Sequence, residues 1–225
     1  MKRYLLTLVL LAGLLLSACT AAQTYPAPQP LSLYADYEAS ASSTVAIAVS
    51  STGTSHIVRT QCDTATGTIC RLIYQSIRAG SQIVGIAWVP PTGYTYRNPD
   101  IALAGESAYV VFQNCRIDNN LCAVGYARPG VISGVNPLDS LYLTRGSPPL
   151  VVSRGFMVYA VYEVPLSATG SALRFCNFQT LDCRWVSPHP EDDPNQRTDA
   201  SADVDSDGYL HVGYLLKETG KMTAF

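Results

Sequence analysis

From residue 45 onward the chain is a succession of short runs in which apolar and polar side chains alternate, each cut off by Gly, Pro, Asn, Asp or Ser. Period-two alternation is the mark of a strand with one buried face. At 45–50, Val45, Ile47 and Val49 interleave with Ala46, Ala48 and Ser50, and the pattern returns at 56–62, 69–77 and 82–89. Further strands are predicted at 101–104, 108–114, 121–127 and 140–144, then at 150–153, 156–164, 172–177 and 183–186. No convincing amphipathic helix follows residue 20. The 14 Tyr, 16 Gly and 14 Pro point the same way, toward strands and turns.

The sharpest stretch is 203–214, Asp-Val-Asp-Ser-Asp-Gly-Tyr-Leu-His-Val-Gly-Tyr, two strands around a Ser-Asp-Gly turn. Weaker relatives lie at 45–59, 100–112 and 150–162. Aligned on the second strand, His56, Tyr109, Tyr159 and His211 share one column, with spacings of 53, 50 and 52. A period near fifty with two strands recognisable in each unit is the signature of propeller blades. The expectation is an all-β chain, a β-propeller of antiparallel four-stranded blades. Its repeats cover about 44–96, 97–145, 146–197 and 198–225. The last unit ends after a third strand at 221–225, so about three and a half blades are expected. A truncated reading frame is the preferred explanation; the others are a contribution from 31–43 to the last blade, or a longer parent.

The first 18 residues do not belong to that pattern. Lys2 and Arg3 precede an apolar run through Leu16, too short to span a bilayer and shaped like an export signal. Leu16-Ser17-Ala18-Cys19 resembles the bacterial lipobox, with Leu at −3, small residues at −2 and −1, and Cys at +1. That resemblance implies cleavage before Cys19, diacylglycerol on its thiol and an acylated amino group, with palmitate-type chains holding the protein to a lipid bilayer. Cleavage near Ala22 by an ordinary signal peptidase is the alternative. Residues 19–30 are small, polar and Pro-rich, a tether between bilayer and domain. The domain itself would occupy 31–225, outside the cytoplasm on the inner or outer membrane.

Charge removes some function classes. Only 14% of the chain is charged and the net charge is −2, with no basic run beyond Lys2-Arg3. Nucleic-acid binding is disfavoured. Beyond Cys19, six cysteines fall into three close pairs, Cys62/Cys70, Cys115/Cys122 and Cys176/Cys183, each bracketing a short polar loop. Within-repeat disulfides fit both that spacing and an oxidising compartment. The third pair sits later in its repeat, so its bridge is expected between third and fourth strands. Zinc ligation fits poorly, since no His lies near the pairs.

The unit A-x-V-D-S-D-G-x-x-H-V-x-Y at 202–214 resembles the repeat of secreted bacterial propellers of the sialidase-like superfamily. The resemblance implies the fold. It supplies no catalytic residue: the Ser-x-Asp-x-Gly-x-Thr-Trp turn of sialidases is missing, and no motif ties Glu38, Glu106, Glu163, Glu191 or Glu218 to an Arg. Asp203, Asp205 and Asp207 spell the opening of a calcium loop. The position of a bidentate Glu is Tyr214, however, so a plain hairpin turn is preferred and no cofactor is expected. His56 and His211 share their column with Tyr, which argues for packing, and Trp88 and Trp185 suit either a glycan-binding face or blade packing. The resulting expectation is a membrane-anchored binding or scaffold module for an extracellular glycan or protein. The alternative is a glycan-active glycoside hydrolase, or a fragment of one.

Overall fold

A computed structural model describes residues 44–63, 66–78, 84–131, 134–144, 148–166, 171–186, 196–218 and 221–224. The export signal, Cys19, the tether, residues 31–43 and His189 lie outside these. The described residues form β1 (Val45–Val49), β2 (Ser55–Cys62), β3 (Cys70–Ile77), β4 (Val84–Trp88), β5 (Tyr94–Ala104), β6 (Ser107–Arg116), β7 (Leu121–Ala127) and β8 (Asn136–Thr144). There follow β9 (Leu150–Arg154), β10 (Met157–Pro165), β11 (Ser171–Asn177), β12 (Asp182–Trp185), β13 (Gln196–Val204), β14 (Leu210–Glu218) and β15 (Lys221–Ala224). No helix occurs among the described residues.

Each group of four is an antiparallel meander in chain order: β1-β2-β3-β4, β5-β6-β7-β8 and β9-β10-β11-β12. A fourth meander, β13-β14-β15, joins the third through a single parallel pairing of Ser171 with Gln196. The first strands β1, β5, β9 and β13 lie side by side, each against the next. That makes the meanders blades stacked about their inner strands, the arrangement of a partial β-propeller.

Bonds one repeat apart join the blades. Asp100 on β5 accepts the backbone N–H of Val151 on β9 at 2.8 Å, and Ser153 Oγ donates to the carbonyl of Leu103 at 2.6 Å. Arg154 donates to the carbonyl of Val204 at 3.4 Å, and Tyr159 Oη to that of Gly208 at 3.2 Å. Thr52 Oγ1 reaches Glu106 at 3.1 Å.

Period-two alternation gives blade 2 two buried faces. On blade 2, Ile101, Ala108, Val110, Phe112 and Ala127 pack with Val58, Leu72, Tyr74 and Trp88 of blade 1. Their alternates Ala102, Tyr109, Val111 and Val124 pack with Val151, Val158, Ala160 and Tyr162 of blade 3. Each of these two seams holds an apolar core, and burying it is the main stabilising contribution.

Several boundaries differ from expectation, and β8 begins at Asn136 rather than near 140. β5 begins at Tyr94, not near 101. Asn98-Pro99 reads as a loop in sequence, but the strand absorbs it as an irregularity between Arg97 and Asp100, with Asn98 at φ 48°. β13 begins at Gln196, within residues 187–197, whose polar, Pro-broken sequence reads as a loop connector. In every blade the turn from first to second strand holds a glycine at positive φ: Gly53, Gly105, Gly155 and Gly208. These turns therefore all lie at the same end of the blade stack.

Candidate functional site

The cysteines settle where the strand register puts them. Cys62–Cys70 and Cys115–Cys122 bridge second to third strands, while Cys176–Cys183 bridges third to fourth. In each case the two residues are direct cross-strand partners. The third bridge therefore sits at the opposite end of the stack from the first two. Asp139 lies near Cys176 and Cys183. Both sulfurs are spent on each other, so this group has no thiolate to offer a metal.

The acidic turn is occupied with its own backbone. Asp205 Oδ1 accepts the N–H groups of Asp207 and Tyr209, each at 2.9 Å, and Oδ2 lies 2.9 Å from His211 Nε2. The His211 bond, then the Tyr209 N–H, hold this carboxyl below the usual carboxylate range. Asp203 Oδ1 accepts the N–H of Val204 at 2.8 Å. This is a self-capped turn whose carboxylates do not converge on a common point.

The aligned column occupies one place in every blade. His56, Tyr109, Tyr159 and His211 pair across to Ala48, Ala102, Val152 and Asp203 of the inner strands. His56 is buried, with Nδ1 2.6 Å from Tyr74 Oη and Nε2 unpartnered among the described residues. Burial pushes its pKa down, against a smaller opposing pull from Glu106. Tyr109 packs edge-on to Phe178 and lies under the Arg128 guanidinium at 4.4 Å. Trp88 is buried at the first seam, and Trp185 lies beneath Arg174 at 4.8 Å. Both tryptophans are packing groups. Of the glutamates, Glu106 is exposed and Glu163 is buried. Glu38 and Glu191 lie outside the described residues, as does the side chain of Glu218.

One cluster has no signature in the sequence. Asp139 on β8 accepts Tyr162 Oη at 2.5 Å and Arg174 Nε at 2.6 Å on the same oxygen, Oδ2. Both ends of the ion pair are largely buried. Burial, then the Asp139 hydrogen bond and charge, drive the Tyr162 phenol far above its ordinary pKa, so it remains a donor. Residues 139, 162 and 174 fit no spacing motif. The β10–β11 register already pairs Tyr162 with Arg174, and the stacking of blade 2 on blade 3 adds Asp139 to them.

Cavities lie at the seams among the described residues. One of about 240 Å³ between blades 1 and 2 is lined by Thr44, Thr60, Arg97 and Asn98 beside the first disulfide. One of about 310 Å³ between blades 3 and 4 is lined by Tyr159, Phe175, Tyr209 and apolar neighbours. The third, about 180 Å³, includes Glu163 and Tyr162. The first offers hydroxyl, amide and cationic groups, and the second offers aromatic rings.

No protein-family model matches the chain, and no curated protein matches it. Among solved structures it is similar to the Bombyx mori GH32 beta-fructofuranosidase BmSUC1, at 13% identity over 77% of this chain and 42% of that one, TM-score 0.43. It is also similar to CoXyl43, a GH43 beta-xylosidase/alpha-arabinofuranosidase from a compost microbial metagenome, at 11% identity over 85% and 77%, TM-score 0.44. An exo-1,5-alpha-L-arabinanase from a bovine ruminal metagenomic library follows at 9% identity over 79% and 71%, TM-score 0.40. The chain spans less than half the length of the Bombyx mori enzyme. At such scores the likeness carries no argument about chemistry.

Proposed function

We propose that the protein is an exported lipoprotein, anchored through acylated Cys19, that holds a β-propeller outside the cytoplasm as a binding or scaffold module. The observation that carries the address is the set of three within-blade disulfides, which persist in oxidising compartments. Leu16-Ser17-Ala18-Cys19 supplies the acylation site, residues 19–30 the tether and 31–225 the presented domain. Two or three acyl chains hold a protein stably, whereas one alone binds marginally. Cys19→Ala is expected to move the protein from the membrane fraction to the soluble fraction and abolish labelling by a palmitate analogue. Unchanged membrane association would refute the anchor.

The binding role draws on the aromatic cavity between blades 3 and 4, whose Tyr159, Phe175 and Tyr209 suit the apolar faces of a sugar or a protein side chain. The same cavity favours a second reading, a glycan-active glycoside hydrolase of which this chain would form part. Incubation with a panel of oligosaccharides separates the two. Retention without release of reducing sugar supports the binding module, and release abolished by a single carboxylate substitution supports the enzyme. Neither reading calls for a resident metal.

A further inference from the structure

The seam between blades 1 and 2 holds polar groups that its own packing does not satisfy. Its cavity of about 240 Å³ lies where β2 ends and where β3 and β5 begin, beside the Cys62–Cys70 bridge. Thr44, Thr60, Tyr96, Arg97 and Asn98 line it. The Cys70 N–H donates to Thr95 Oγ1 at 2.9 Å and ties the two blades together at this point. The site belongs to an internal seam, with a four-stranded meander on each side.

Tyr96 is fully buried and its ring stands edge-on to Phe112, 4.9 Å between centroids. Its Oη nevertheless has no hydrogen-bond partner among the described residues. A buried hydroxyl left in that state costs stability, and folds keep few of them. Burial also raises the phenol pKa, so the group stays a donor. Arg97 is half-buried and makes no hydrogen bond or ion pair among the described residues. The start of β5 is irregular at this place. Arg97 pairs with Gln113 and Asp100 with Val111, so Asn98 and Pro99 together stand opposite Phe112. Such an extra residue re-aims a strand. Three consecutive residues of β5 thereby reach one cavity, where a regular pleat would offer alternate ones. Asn98, at φ 48°, is fastened there by donation from Nδ2 to Gln113 Oε1 at 2.8 Å.

We propose that this cavity binds a small monocarboxylate bearing hydroxyl groups, its carboxylate on Arg97 and the Tyr96 hydroxyl, its own hydroxyls against Thr44, Thr60 and Asn98. Among the lining residues none is acidic and Arg97 is the one cation, which matches a single negative charge. The guanidinium fork suits a carboxylate. Threonine hydroxyls and an asparagine amide both donate and accept, which suits alcohol groups better than an apolar tail. The volume falls below the roughly 300–1,000 Å³ of drug-sized pockets, so the ligand is one small unit and not a chain of them. This seam is not that of the aromatic cavity, and the inference rests neither on the acyl anchor nor on the role given to that cavity.

Calorimetric titration of the full chain carrying Cys19→Ala tests it, with D-gluconate and D-glucuronate as probes and D-glucose as the uncharged control. At least one of the two acids should bind and raise the melting temperature, and glucose should do neither. Arg97→Gln should weaken that binding about tenfold or more, because a charge-assisted hydrogen bond is lost. Tyr96→Phe keeps the ring against Phe112 and removes only the unpartnered hydroxyl. Without ligand its melting temperature should equal or exceed the parent's, while its affinity for the acid falls about fivefold. Failure of both acids to bind overturns the proposal, as does glucose binding as tightly as either acid. Binding untouched by Arg97→Gln or by Tyr96→Phe puts the acid elsewhere and overturns it too. So does a lower ligand-free melting temperature in Tyr96→Phe, which would give the hydroxyl a structural partner.

Discussion

Phe112 lays its ring over Gly125 on the neighbouring strand so closely that a β-carbon there would stand 2.6 Å from ring carbon Cζ. Phe112 is fully buried at the first seam and cannot swing away. Gly125→Ala should therefore destabilise the fold by about 1–3 kcal/mol, as overpacking does, read as a lower urea midpoint; an unchanged midpoint would show that the ring has room. His56 adds a pH dependence of definite sign. Burial lowers its folded pKa, so its contribution is complete above the unfolded value of about 6.5 and is lost as pH falls through the folded one. Between pH 7.5 and 5.5 the protein should lose stability, and His56→Gln should flatten that loss. An equal slope in both proteins would assign the effect elsewhere.

At the scale of the element, the strands were legible because alternation and turn residues speak for themselves. Ser206, Asp207 and Gly208 announce their hairpin, and the late position of Cys176 and Cys183 in their repeat announces a later bridge than in the other repeats. The start of β5 was hidden because Asn98-Pro99 is turn chemistry that an inner edge strand accommodates with an irregularity. The bridges pin register where two strands diverge into a loop. Replacing Cys115 and Cys122 together by Ser should cost about 2 kcal/mol, the order expected for a short loop. Guanidinium unfolding of the double variant under non-reducing conditions measures it, and a midpoint equal to that of the parent would make the bridge ornamental to stability.

Across the whole molecule the repeat period was readable and the seam chemistry was not. Tyr162, Asp139 and Arg174 look unremarkable in sequence and become one unit only when blade 3 lies on blade 2. Asp139→Ala would leave a buried guanidinium without its carboxylate and a buried phenol without its acceptor. A loss of about 3 kcal/mol is expected, typical of breaking one half of a buried pair. Thermal unfolding followed near Trp185, which the Arg174 guanidinium covers, should report it; an unaltered melt would demote the cluster to decoration.

The bonds between blades span about fifty residues each, from Asp100 to Val151, from Leu103 to Ser153, from Val204 to Arg154. None of these has to wait for a distant terminus. A chain that emerges amino end first therefore locks each module onto its predecessor as soon as it appears, growing like a stack of plates. Premature aggregation is limited to the newest plate, whose back face is bare only until the next arrives.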